Sequence, residues 1–183
     1  MRVRAPAVHT LAIVLLCVLA LCTSACSPAT TPARGADPLS GLRATVPAAP
    51  PAPDLATPES AVRAYLAWTN YVYVTGKSDE ASAAVDPYEL VHVDSYIEYN
   101  RENGAKRIYQ VLEDFRVTGT STEGTHTLVA ATERWRYRYF SLKDGTWVSP
   151  VHETSYLTTY TVLPLDSRFI VGAVDASATT PVY

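Results

Sequence analysis

Beyond Cys26 the chain has no cysteine, and before residue 57 it has no aromatic side chain. The first absence excludes a disulfide framework and a thiolate metal site from everything that follows Cys26. The second excludes much of a core from the first 56 residues, because aromatic side chains supply a large share of buried area. All 12 tyrosines, 3 tryptophans and 3 phenylalanines lie later, which places the folded unit at about residues 57–183. Histidine is scarce there too: only His92, His126 and His152. The 8 glycines form no nucleophile elbow, phosphate loop or dinucleotide fingerprint. Basic charge is also short. From residue 57 onward 16 acidic side chains face 11 basic ones, a net of −5. Such a unit is a poor nucleic-acid binder and should not lie flat on an anionic membrane.

What is present at the start is an address. Arg2 and Arg4 precede the apolar run Leu11–Leu21, which is too short to span a bilayer comfortably, and small residues Thr23, Ser24 and Ala25 lead into Cys26. That pattern is an export signal. Ending in Thr-Ser-Ala-Cys, it resembles a bacterial lipoprotein signal, with Thr23 where such motifs usually carry Leu. The resemblance implies cleavage before Cys26, a diacylglycerol thioether on that residue, and anchorage to the outer face of the bacterial cell membrane. Residues 1–25 are then the signal peptide, and the bilayer is a partner through the Cys26 acyl anchor. An ordinary cleaved signal and an uncleaved anchor are the alternatives. Cys26 has no cysteine after it to pair with, which fits lipid attachment better than redox work.

Residues 26–56 are rich in proline and alanine and lack apolar periodicity, so they read as a semi-extended, lipid-anchored linker. The first helix opens with Thr57 as cap and Pro58 at its first position, runs to about Thr75, and is closed by Gly76. Ser78–Val85 reads as a short second helix. Asp86-Pro87-Tyr88-Glu89 repeats the start signal, with Glu89 in the capping position, and leads a helix to about Asn103 with a break expected near Val93.

Four strands follow. The spacing predicts them at 107–120, 125–142, 149–163 and 168–176, with turns at Glu123-Gly124 and Asp144-Gly145. The second is the centre of the pattern. Its strict alternation puts Trp135, Tyr137 and Tyr139 on one face and Arg134, Arg136 and Arg138 on the other. At about 3.4 Å per residue it would reach roughly 60 Å if straight, so it must twist or bend. Two-residue turns would set Glu113 opposite Arg134 and Arg136 opposite Glu153, a ladder of ion pairs.

Helices followed by a meander of long strands imply an α+β fold, with N-terminal helices packed on a strongly bent antiparallel sheet of about four strands. At Ala61–Leu66, Gly76–Ala81 and Arg168–Val174 the chain resembles the NTF2-like (SnoaL-like) superfamily, a cone of that layout covering 57–183. The resemblance implies a pocket between helices and sheet, and by the register above its lining includes Trp68, Tyr96, Trp135, Tyr137, His152 and Tyr156. Members include isomerases and dehydratases as well as proteins that only bind, and dimers through the open sheet face are common among them, so a homodimer is one expectation.

Two functions follow. The first is a non-catalytic domain of the cell envelope that docks a protein or a small ligand, with no cofactor. The second is a small-molecule isomerase-like or dehydratase-like enzyme or carrier, with Asp94 or His152 as base and Tyr137 or Tyr156 as donor. For a metal, His92 and Asp94 share a face only in an extended segment, so none is expected. The arginine row could grip an anionic polymer, although a salt-bridge ladder explains it more simply.

Overall fold

A computed structural model describes residues 37–179 of the chain. Two helices and four strands follow in order: α1 (Pro58–Thr75), α2 (Pro87–Glu102), β1 (Lys106–Glu123), β2 (His126–Ser141), β3 (His152–Leu165) and β4 (Arg168–Ala178), with one 3₁₀ turn at Ser78–Ala81 between the helices. The strands form a single antiparallel sheet in the order β1-β2-β3-β4. The fold is α+β, with helices packed on the concave face of a bent antiparallel sheet, the layout expected from the order of its elements.

Local chemistry explains the boundaries. The Thr57 side chain accepts from the Ser60 amide and Ser60 answers to the Thr57 amide, so α1 starts on a complete capping box. It ends where Gly76 takes a left-handed φ of 71°. A side chain at Gly76 would also meet the Arg107 guanidinium, which donates at 3.3 Å to the Val74 carbonyl at the end of α1. Asp86 caps α2 by accepting from the Tyr88 amide. The break expected near Val93 does not occur: α2 is continuous, because Val93 and Ile97 are one turn apart and both are buried. The expected second helix is only the single 3₁₀ turn.

The sheet bends through irregularities in its ladder. The register shifts between Leu112 and Asp114 and between Val117 and Gly119 in β1, and again where β3 meets β4 at Gly172. A Cβ at Gly172 would overlap the Leu163 side chain, so the bulge requires glycine. β2 keeps the expected alternation. Val129, Ala131, Glu133 and Trp135 are buried on the concave face with Tyr137 and Tyr139 beyond them, while the arginines take the convex face. Around α1 the core gathers Val62, Leu66 and Val72 with Val129, Tyr160, Val162 and Val171 of the sheet. Each fully buried valine among them contributes about 1.5–3 kcal/mol.

Residues 26–56 were expected to be a free linker. Residues 26–36 lie outside the described residues, but from Asp37 onward the chain is laid along the sheet. Leu39 is only 1% exposed and Leu55 9%. Asp37 meets Arg136 at 3.0 Å, the Leu39 carbonyl accepts from Arg138 at 3.1 Å, the Ala44 amide donates to Gly145, and the Leu55 carbonyl accepts from the Phe169 amide. Composition misses this strap because its contacts are few and belong to the sheet. Proline-rich chain is already extended, so little entropy is lost in holding it there.

The arginine row is thereby accounted for. Arg136 is paired with Asp37 and with Glu113, which stands out at the first β1 bulge, and Arg134 reaches Glu113 at 3.4 Å. Glu153 does lie opposite Arg136 in the ladder, as expected, but Asp37 and Glu113 take the guanidinium instead. Arg138 binds the strap and covers the Trp147 ring at 4.8 Å.

Candidate functional site

Between α1, α2 and the concave sheet lies a cavity of about 450 Å³. Helical spacing brings Tyr65, Thr69 and Tyr73 onto the face of α1 that looks into it, and α2 contributes Tyr96. The two-residue period of the strands brings Glu133, Trp135, Tyr137 and Tyr139 from β2 and Thr154, Tyr156, Thr158 and Tyr160 from β3. Ala176 on edge strand β4 lines it too and is exposed, so the cavity opens to solvent along that edge.

Four of the six residues expected to line the pocket do so: Tyr96, Trp135, Tyr137 and Tyr156. Two do not. Trp68 is one residue short of Thr69, about 100° round the helix; it packs edge-on against Tyr71, beside a crevice formed with strap residues Pro50, Pro51 and Pro53. His152 begins β3 and stacks on the Tyr137 ring at a centroid distance of 5.0 Å, past the end of the cavity wall. Asp94 is exposed on α2 and accepts from the Ser78 hydroxyl at 2.6 Å. The acid–base pair imagined from Asp94 and His152 is therefore not brought together at the cavity.

His92 and Asp94 do not converge either, because α2 is helical throughout. His92 lies 3.2 Å from Glu89 and packs against Tyr88. His126 sits exposed at the β1–β2 turn. Among the described residues no group of three or more His, Cys, Asp or Glu side chains could hold a metal. Cys26 lies outside the described residues.

Sequence reasoning missed the aromatic lining residues Tyr65, Tyr73, Tyr139 and Tyr160, and it missed the polar ones. Glu133 is 6% exposed; its Oε1 accepts from the Tyr160 hydroxyl in a short hydrogen bond, and its Oε2 accepts from Trp135 Nε1 at 2.7 Å. A second buried carboxylate, Glu89 at 5% exposure, accepts from the Tyr65 hydroxyl at 2.9 Å. Burial pushes the hydroxyls of Tyr65 and Tyr160 far above the ordinary tyrosine range, and the neighbouring carboxylates add to it, so both stay protonated and donate. Tyr73 and Tyr139 are pushed up for the same first reason, desolvation. The signal for Glu133 was present in the alternation: the rule that puts Trp135 inside puts Glu133 inside as well.

Two further side chains stand out. Thr154 and Thr158 are each 3% exposed, line the cavity, and their Oγ1 atoms have no hydrogen-bond partner in the protein. Leaving a buried hydroxyl unpaired costs about 1–3 kcal/mol. Both oxygens have almost no accessible surface of their own, so they form a polar seam within the wall, behind the face that the cavity touches.

No family model matches the chain, and no curated protein does. Among solved structures, the intermembrane space region of the chloroplast protein ARC6 is similar at 16% identity with a TM-score of 0.57, over 70% of this chain and 100% of that one. A periplasmic fragment of TraM aligns at 10% identity and a TM-score of 0.46, over 66% and 98% of the two chains. An NTF-2 like protein of unknown function from Shewanella oneidensis aligns at 12% identity and a TM-score of 0.36, over 66% and 98%. The first of these shows a shared fold and nothing about chemistry, which has to be argued from the cavity itself.

Proposed function

We propose that the chain is an exported lipoprotein, held by an acyl group on Cys26 to the outer face of a bacterial cell membrane, whose NTF2-like domain binds a small ligand without transforming it. One observation carries the binding role: an open cavity of about 450 Å³ walled by tyrosine and tryptophan side chains together with Glu133. Its volume falls in the range of small-molecule sites, and its mix of apolar rings with a few convergent polar groups is what such sites need. The non-catalytic reading follows from the carboxylate on that wall. Glu133 is fixed in place by Tyr160 and Trp135 with no histidine, lysine or arginine on the wall to exchange a proton with it, and neither Asp94 nor His152 reaches the cavity. Support for export comes from the residues before Cys26, where a charged start, a short apolar run and small residues stand in the order a lipoprotein signal uses.

The test is occupancy. Full-length protein taken from membranes in mild detergent is denatured, and the released small molecules are measured by mass spectrometry beside a Thr158→Phe variant, which fills the cavity. The wild type should release a compound in near-stoichiometric amount and the variant should not. Equal release from both, or none from either, would count against a ligand role for the cavity.

A further inference from the structure

Resting on that reading of the cavity, we infer that its ligand is a small organic cation, an amine in its ammonium form that carries an aromatic or apolar body. Three independent features of the wall point the same way. Eight of the lining side chains are tyrosine or tryptophan, the residue types whose π systems attract cations. No lysine, arginine or histidine lines it. The one ionisable acid there, Glu133, is 6% exposed, and its partners are two neutral donors, the Tyr160 hydroxyl and the Trp135 ring N–H.

A carboxylate offers about four acceptor positions, so two on Glu133 remain. A buried charge without a counter-ion is costly, and a ligand ammonium supplies that counter-ion. An anionic ligand would set a second acceptor against the Glu133 carboxyl, and an apolar neutral one would leave its free acceptor positions unused. The chain already uses this chemistry beside the site: Lys106 Nζ, which is not part of the lining, stands 4.6 Å from the centre of the Tyr139 ring.

The experiment titrates the full chain, in dodecyl maltoside at neutral pH, with three probes of one shape and different charge: phenethylammonium, 2-phenylethanol and phenylacetate. Binding is read calorimetrically. Phenethylammonium should bind about tenfold or more tighter than 2-phenylethanol, with phenylacetate weakest. Glu133→Gln should bring the first two within a factor of about two. Because Glu133 is structural as well, Tyr137→Leu and Tyr137→Phe are measured beside it: the half-buried ring can be lost without opening the core. The leucine variant should weaken phenethylammonium about fivefold or more and the phenylalanine variant hardly at all. If 2-phenylethanol binds as tightly as phenethylammonium, the cation is overturned while the cavity remains a ligand site. If no probe binds to a chain whose circular dichroism is native, the cation and the ligand role fall together.

Discussion

At the scale of single residues, the polar groups inside the cavity divide into those that hold the fold and those that wait for something else. Tyr160 is 1% exposed and donates to Glu133. Tyr160→Phe would leave that carboxylate oxygen unsatisfied, and we predict a loss of about 1–3 kcal/mol in urea unfolding. Thr158→Val should go the other way. It removes a hydroxyl that has no partner and keeps nearly the same shape, so stability should hold or rise by up to about 1 kcal/mol. A Thr158→Val protein destabilised as much as Tyr160→Phe would show that the hydroxyl is bonded after all. Trp135, Tyr137, Tyr139 and Tyr156 on this wall are legible in the sequence, because period-two alternation fixes their side of the strand, whereas Tyr160 on the same face and the helical Tyr65 and Tyr73 are not singled out. Glu133, Thr154 and Thr158 obey the same alternation and were overlooked, since a charge or a hydroxyl on an apolar face conflicts with the usual rule of burial.

At the scale of elements, α1, α2 and all four strands could be read from the sequence because each carries local punctuation: Thr57-Pro58 and Asp86-Pro87 at the helix starts, Gly76 at a helix end, Glu123-Gly124 and Asp144-Gly145 between strands. The strap from Asp37 to Leu55 could not. Its order comes from groups far along the chain, chiefly Arg136 and Arg138, and nothing local announces them. The strap should also be the first element to leave in acid. Arg136 donates to Asp37 and, with the Leu39 amide, holds the Asp37 carboxyl below its usual value. A carboxyl with a lowered folded-state pKa stabilises the fold at every pH above its unfolded value, near 4, and loses that contribution as pH falls through the lower folded value. Methyl signals of Leu39 followed by NMR should therefore stay in place from pH 7 to about 4 and move toward exposed positions below that. In Asp37→Asn they should be displaced already at pH 7 and show little pH dependence.

At the scale of the whole molecule, the proposed acyl anchor and the cavity belong to one account: a tether at Cys26 would keep the domain at the membrane, and the strap holds to the back of the sheet at Asp37 and Leu39 before it reaches α1. The anchor is testable by intact mass. Protein from a membrane fraction should begin at Cys26 and carry a diacylglycerol, whereas Cys26→Ser should lack that mass and appear in the soluble fraction. A chain cut elsewhere and found free would remove the tether from the account and leave the cavity standing. The claim at its centre is that the cavity receives a small molecule against the wall that Thr154 and Thr158 help to form. The most direct measurement is a methyl NMR spectrum of the full chain, labelled on threonine, recorded while phenethylammonium and then 2-phenylethanol is added. The account predicts that the Thr154 and Thr158 signals shift with at least one probe while Thr120 and Thr122, exposed near the β1–β2 turn, do not. Thr154 and Thr158 signals that stay fixed with both, at concentrations where exposed threonines begin to move, would contradict it.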